Sequence, residues 1–302
     1  MLDVLIRAGS FVAVILLGYL LRRIGLFRKE DFKVLSNIVL KITLPAAIIA
    51  SFSNTEISAV MLILPLLGFG GGVVYMLLGY LSSLKKPKEE QAFMVLNTAG
   101  YNIGCFSLPF IQSFLGPAGV VATGLFDSGN AFVVLGGAYG IASTIKAGNG
   151  FSLKKLAKAL FTCVPFLVYL VVALLKFCNV SIPSQVITFV QPVANANAFM
   201  AMFMIGVGFE LKAEKRQLAA VFKVVAIRYA VAAVLAWVFY TYLPFSHEIR
   251  SALVLLAFSP LGSSIPIFTA QLKEDVGLSS AINSVCILIS IVINVILLIV
   301  LL

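Results

Sequence analysis

The chain has 302 residues, of which 61% are hydrophobic and 11% charged, with a mean hydropathy of +1.08. Soluble domains run at about 45–50% apolar and about 25% charged, so no soluble fold of this length hides so much apolar surface and lipid must be the solvent for most of it. The net charge of +10 is not a nucleic-acid footprint, because the basic residues gather in short breaks between apolar runs.

A bilayer core of about 30 Å needs roughly 20 helical residues per crossing. On that measure ten membrane helices are predicted near residues 3–22, 33–53, 57–83, 90–114, 117–144, 156–177, 184–210, 214–243, 247–272 and 277–302. The runs are continuous, whereas barrel strands alternate over about 10 residues. Segment 1 is followed by Arg22 and Arg23 rather than preceded by basic residues, so it reads as a membrane helix and not as a cleaved signal peptide. Segment 2 carries Asn37, Pro45 and a snorkelling Lys41. The Gly68–Gly72 cluster of segment 3, like Gly136, Gly137 and Gly140 of segment 5, suits close helix packing. Segment 4 reads N-T-A-G-Y-N-I-G-C-F-S-L-P-F-I-Q from Asn97, with Asn, Gly, Ser and Pro crowded where apolar residues belong. Segment 5 holds Asp127 within G-L-F-D-S-G-N-A-F, and segment 8 holds Arg228. Between segments 5 and 6, Gly148-Asn149-Gly150 is too polar and flexible to continue a helix. Segment 7 adds Asn195 and Asn197, read as helix-to-helix hydrogen bonding. Segment 9 reads A-F-S-P-L-G-S-S-I-P-I-F-T-A-Q. Cys105, Cys163, Cys178 and Cys286 lack metal-ligand spacing and read as buried packing thiols.

Fifteen of the 22 Lys and Arg residues fall in the breaks after segments 1, 3, 5 and 7, with Arg7, Lys176, Arg250 and Lys273 assigned to the opposite side. The positive-inside rule then puts the basic breaks in the cytoplasm and both termini outside, for a multi-pass protein of the cell (plasma or inner) membrane.

The motif S-L-P-F at Ser107–Phe110 returns as S-I-P-I at Ser264–Ile267, 157 residues later. That offset maps about 1–145 onto 158–302. Five spans precede the second copy, and five is odd, so the second half enters with opposite orientation. The fold expected is an all-α membrane protein: one transporter domain over 1–302, with ten helices in two inverted five-helix repeats. A pair of interrupted spans at matching places points to a transporter's binding site. Proline lacks an amide donor and glycine takes unusual backbone angles, so segments 4 and 9 should unwind midway. Unwound backbone survives at membrane depth only against protein or a water-filled cavity. Inner half-helix ends present amides and partial positive charge, which with Asn and Ser donors suits a carboxylate. Ionisable groups within spans are functional candidates. The residues leave open whether Asp127 couples transport to a proton, holds a cation or shapes the site. They equally leave open whether Arg228 neutralises a substrate carboxylate or pairs with Asp127.

The stretch N-I-G-C-F-S-L-P, Asn102 to Pro109, resembles the broken fourth helix of the auxin efflux carrier family, including an asparagine seven residues before the crossover proline. S-P-L-G-S-S-I-P-I-F is similar to that family's second crossover, with one more residue between the prolines, and N-I-V-L-K-I-T-L-P-A in segment 2 also resembles it. The resemblance implies the fold group of bile acid/sodium symporters and sodium/proton antiporters, with broken, crossing helices 4 and 9. It implies elevator-type movement of a bundle carrying those helices against a scaffold of helices 1, 2, 6 and 7, and a homodimer as partner assembly. Family members move auxin or small carboxylates such as malate; the dozen-residue joint between halves favours the prokaryotic type.

The function expected is secondary transport of a small organic anion, a mono- or dicarboxylate, with a sodium ion or proton as the coupling partner left open. Substrate binding is assigned to Asn102, Gly104, Ser107, Pro109, Pro260, Gly262, Ser263 and Pro266, and coupling or site shaping to Asp127 and Arg228. No cofactor, metal, catalytic residue or nucleic acid is expected, since enzyme chemistry would need a buried base or second carboxylate. The alternative is a sodium- or proton-coupled cation antiporter, or a bile-acid-type symporter, on the same fold.

Overall fold

The computed structural model describes residues 2–28, 30–53, 58–148, 151–209 and 217–302, and among them every regular element is helical. In chain order, α1 is Leu2–Arg23; α2 (Asp31–Ile38) runs through a wide π-helical turn, Val39–Thr43, into α3 (Leu44–Ser53). A 3₁₀ turn at Ala59–Ile63 leads into α4 (Leu64–Leu81). Next come α5 (Lys88–Thr98), a second π turn at Ile103–Ser107 and α6 (Leu108–Phe114). Then α7 (Pro117–Phe132) passes a third π turn, Val133–Gly137, into α8 (Ala138–Ala147). The rest are α9 (Leu153–Thr162), α10 (Val164–Phe177), α11 (Ser184–Asn195), α12 (Asn197–Gly208), α13 (Leu218–Tyr242), α14 (His247–Ala257), α15 (Ile265–Gln271) and α16 (Val276–Leu301).

Among the described residues, seven continuous helical stretches are long and apolar enough to cross a bilayer, and α9 with α10 makes an eighth, bent by 76°. The sequence predicts one straight segment 6; instead the helix breaks at Cys163, whose extended backbone precedes Pro165 in the first turn of α10. Segments 4 and 9 are each split into two short helices. Phe189, Phe177 and Phe222 are 81%, 80% and 74% exposed, an arrangement that only lipid makes favourable. Where helices touch, glycine lets backbones meet. A Cβ on Gly129 would lie 1.8 Å from the Pro65 carbonyl, and one on Gly206 would lie 2.0 Å from that of Ile15. Asn197 bonds across helices to Thr43 and Gln112, whereas Asn195 accepts from Gln191 in its own helix.

Contacts gather the connections at two ends. At the basic end, Arg22 donates to the carbonyls of Val207 and Phe209, Lys223 to that of Ser82, and Gln217 to Asp275. Lys146 donates to the Leu272 carbonyl and pairs with Glu274. The turn bearing Lys273 therefore sits beside the end of α8, which corrects its assignment to the opposite side: the break after segment 9 has the same parity as the other basic ones. At the far end Arg7 reaches the Ser113 carbonyl, and Glu248 accepts from the Gly119 amide, a carboxylate at a helix N-terminus. The joint's Asn149 and Gly150 lie outside the described residues, as do Lys29, Lys212, Lys215 and Arg216; α8 closes at Gly148 in a left-handed cap. Cys105 and Cys286 are buried as expected, but Cys163 is half-buried and Cys178 exposed. Cys178 caps α10 at the far end, beyond its last packed turn.

Candidate functional site

Both interruptions begin where a half-helix stops. α5 ends at Thr98 and the chain is non-helical through Ala99–Asn102. Gly100 holds φ +63°, and a Cβ there would meet Val134 Cγ1 at 2.2 Å. α14 ends at Ala257, and residues 258–264 are unwound before α15. Pro266 lies in the first turn of α15, where the missing N–H costs nothing, and so starts an inner half-helix. Pro109 follows the π turn Ile103–Ser107 directly, inside a helical run that begins at Ile103.

The two breaks touch. The Asn102 amide donates to the Pro260 carbonyl at 2.9 Å, so the unwound chains satisfy each other in the way membrane-buried backbone requires. Asn130 of α7 clamps the first break from the side. Its Oδ1 accepts from the Tyr101 amide at 3.0 Å and its Nδ2 donates to the Tyr101 carbonyl at 3.1 Å and to Asp127 Oδ1 at 2.9 Å. Ser264 ties the second break to the third π turn by donating to the Val134 carbonyl at 2.9 Å.

Arg228, 2% exposed on α13, donates to the carbonyls of Thr98 at 2.5 Å, Gly100 at 3.0 Å and Ser259 at 2.9 Å. Its guanidinium stacks over Tyr75 at 4.8 Å, and the Tyr75 hydroxyl bonds the carbonyls of Arg228 and Ala257. Carbonyl ends of helices carry partial negative charge, so this cation neutralises both outer half-helices where they stop. It makes no ion pair with Asp127. The inner half-helices begin on the other side of the crossing, and Asp127 stands beside the first turn of one of them, near Gly104.

Two cavities flank the crossing. One, about 150 Å³, is walled by Asn102, Gly104, Asp127, Gly262 and Ser263 together with Leu44 and Tyr169. The other, about 410 Å³, takes Asn102, Ser263 and Pro266 with Ser280 and Asn283 of α16. Asn102 and Ser263 line both. The Asn102 carboxamide bonds no other described residue, and the Ser263 hydroxyl lies in hydrogen-bonding reach of the Cys105 thiol. Asp127, half-buried, points an oxygen within 4.0 Å of where a Cβ on Gly104 would stand. Ser107 and Pro109 sit behind this wall, fully buried, and the Ser107 hydroxyl has no partner. Pro260 contributes its carbonyl to the crossing and Arg228 its charge from behind; neither lines these two cavities.

Asn130 is the residue that sequence reasoning missed, although a second polar side chain one turn after Asp127 was a signal for it. The half-buried Cys163 and the Asn283 carboxamide, whose buried oxygen is unpartnered, also join the walls. Leu40, Gly104 and Val134 of the smaller cavity come from the three separate π turns. Such turns are rare and frequent at functional sites.

The profile of a family described as "Membrane transport protein" matches residues 10–159, which include the first break. An uncharacterized transporter of Methanothermobacter thermautotrophicus is 25% identical over 154 residues, 49% of this chain and 50% of that protein. The match thus spans about half the length of this curated relative.

Proposed function

We propose that this chain is a member of the auxin efflux carrier family of membrane transporters, as the match of residues 10–159 supports, and that it carries a small organic anion, a mono- or dicarboxylate, held where the two breaks cross. The observation that carries the proposal is Asn102. Its backbone amide is spent on Pro260 while its carboxamide stays free between two cavities, beside helix ends whose opposing charge Arg228 has cancelled. Neutral donors beside the N-terminal ends of helices favour a carboxylate. The smaller cavity, about 150 Å³, suits a malate-sized substrate.

Asp127 faces the same cavity. Two negative charges repel strongly away from bulk water, so a carboxylate substrate enters once Asp127 has taken up a proton or a sodium ion, and the anion and cation travel together. The arrangement of helices fits inverted repeats: shifting α6, Leu108–Phe114, by 157 residues lands on Ile265–Gln271, the bounds of α15. The two-ended distribution of connections fits ten passes with both termini on the less basic, outer side. Elevator movement is supported by the walls of the smaller cavity, where Leu40, Leu44, Pro165 and Tyr169 of α2–α3 and α10 face the crossing. On this reading α1, the α2–α3 run, the α9–α10 pair and the α11–α12 run form the scaffold, and a second copy of the chain joins through it.

Uptake of labelled malate and of labelled sodium into the same proteoliposomes tests this. Malate accumulation that Asn102→Ala reduces by tenfold or more, with unfolding temperature unchanged, is the expected result. Asp127→Asn should leave downhill flux but remove its dependence on an ion gradient. Sodium flux exchanged for protons without any carboxylate would establish the cation antiporter instead.

A further inference from the structure

A cavity of about 630 Å³ lies outside the crossing, walled by apolar residues of α4, α5, α7 and α8, among them Phe69, Leu77, Val95 and Ile141. Its volume is in the range of about 300–1,000 Å³ that holds a whole small ligand. Phe151 and Leu156 also line it, and the same two residues line a neighbouring cavity of about 390 Å³ whose wall is mixed, with Ser143, Ser152, Lys155 and Gln271 among apolar residues. An apolar chamber and one carrying polar and basic groups therefore share one wall.

That wall belongs to α9 and the residues leading into it. The sequence L-K-K-L-A-K-A-L-F-T is amphipathic: Leu160 is buried and Leu156 half-buried, while Lys154, Lys155 and Lys158 are exposed. The helix turns away from α10 by 76°, the attitude of a helix lying in the membrane interface. None of its three lysines forms an ion pair among the described residues. They stand at the basic end of the molecule, where an anionic leaflet attracts such clusters.

We propose that these two chambers hold one anionic phospholipid from the leaflet at the basic end, with an acyl chain in the apolar chamber and the phosphate against Lys155, flanked by Lys154 and Lys158. A soluble anion leaves the apolar chamber empty, and a zwitterionic lipid sets its own cation against three lysines. The bound lipid braces the transport cavity. Leu156 packs on the third π turn, 3.5 Å from where a Cβ on Gly136 would stand, and Val134 and Leu135 of that turn line the smaller cavity at the crossing.

The test needs no knowledge of the transported substrate. The purified full-length protein in detergent is titrated with phosphatidylglycerol, phosphatidylcholine or water-soluble glycerol phosphate, following unfolding temperature and lipid retention by native mass spectrometry. Phosphatidylglycerol should raise the unfolding temperature and stay bound as one molecule per chain, whereas the other two should do neither. Each lysine near an anionic headgroup accounts for roughly fivefold in affinity, so Lys154→Gln, Lys155→Gln and Lys158→Gln together should weaken retention on the order of a hundredfold. Val73→Phe, which fills the apolar chamber from its exposed side, should also release the lipid while the lysines remain. Equal stabilisation by phosphatidylcholine, stabilisation by glycerol phosphate alone, or full retention by both variants would overturn the proposal.

Discussion

The two interruptions look alike in sequence but are held in different ways. The first, Ala99–Asn102, is short and fixed by its neighbours: Asn130 grips both polar atoms of the Tyr101 peptide, and Gly100 takes a left-handed angle with its Cα against Val134. The second, residues 258–264, is longer and carries its own constraint in Pro260, with Ser264 anchoring it by a single side-chain bond. A break imposed by surroundings is vulnerable at each surrounding residue, whereas one imposed by proline is not. Arg228 serves both, taking two carbonyls from the first and one from the second.

The comparison ranks substitutions. Arg228→Met strands three buried carbonyls and should cost about 3–5 kcal/mol, seen as failure to fold or a large drop in unfolding temperature. Arg228→Lys should recover only part, because one ammonium lacks the planar fork that spans three acceptors. Asn130→Ala removes three hydrogen bonds around the first break, for an expected loss of about 2–3 kcal/mol in chemical unfolding. Gly100→Ala should cost about 1–3 kcal/mol through its left-handed angle, and adding Val134→Ala should return the steric share alone. Ser264→Ala, at the second break, should cost only about 1 kcal/mol. If Ser264→Ala proves as damaging as Asn130→Ala, the asymmetry between the breaks does not hold.

The helical, membrane-spanning character of the chain and the two places where helices come apart were legible because both leave marks in residue type: long apolar runs, and proline beside glycine, serine and asparagine. Asn102 and Ser263 could be picked out for the same reason. The role of Arg228 could not, since its partners are main-chain carbonyls that every residue possesses. Suggesting Asp127 as its partner followed from counting side-chain charges, and helix ends are charges that counting omits. The bend at Cys163 escaped because α9 and α10 are both apolar enough to read as one run. Its sign was the trio of lysines in the first half, which suits a helix lying along the interface. Lys273 was assigned to the wrong end by tallying charge without following the parity of the turns.

The three π turns around the smaller cavity have a bearing on how selectivity could change. Each holds a surplus residue within a helical run, and together they place Leu40, Gly104, Val134 and Leu135 on the enclosure. Which side chains face the enclosure is therefore set by how the main chain winds through those turns. Deleting a residue from Val39–Thr43 or Val133–Gly137 would return that run to regular winding and rotate everything beyond it by about 100°. New cargo for such a chamber would come from insertions and deletions.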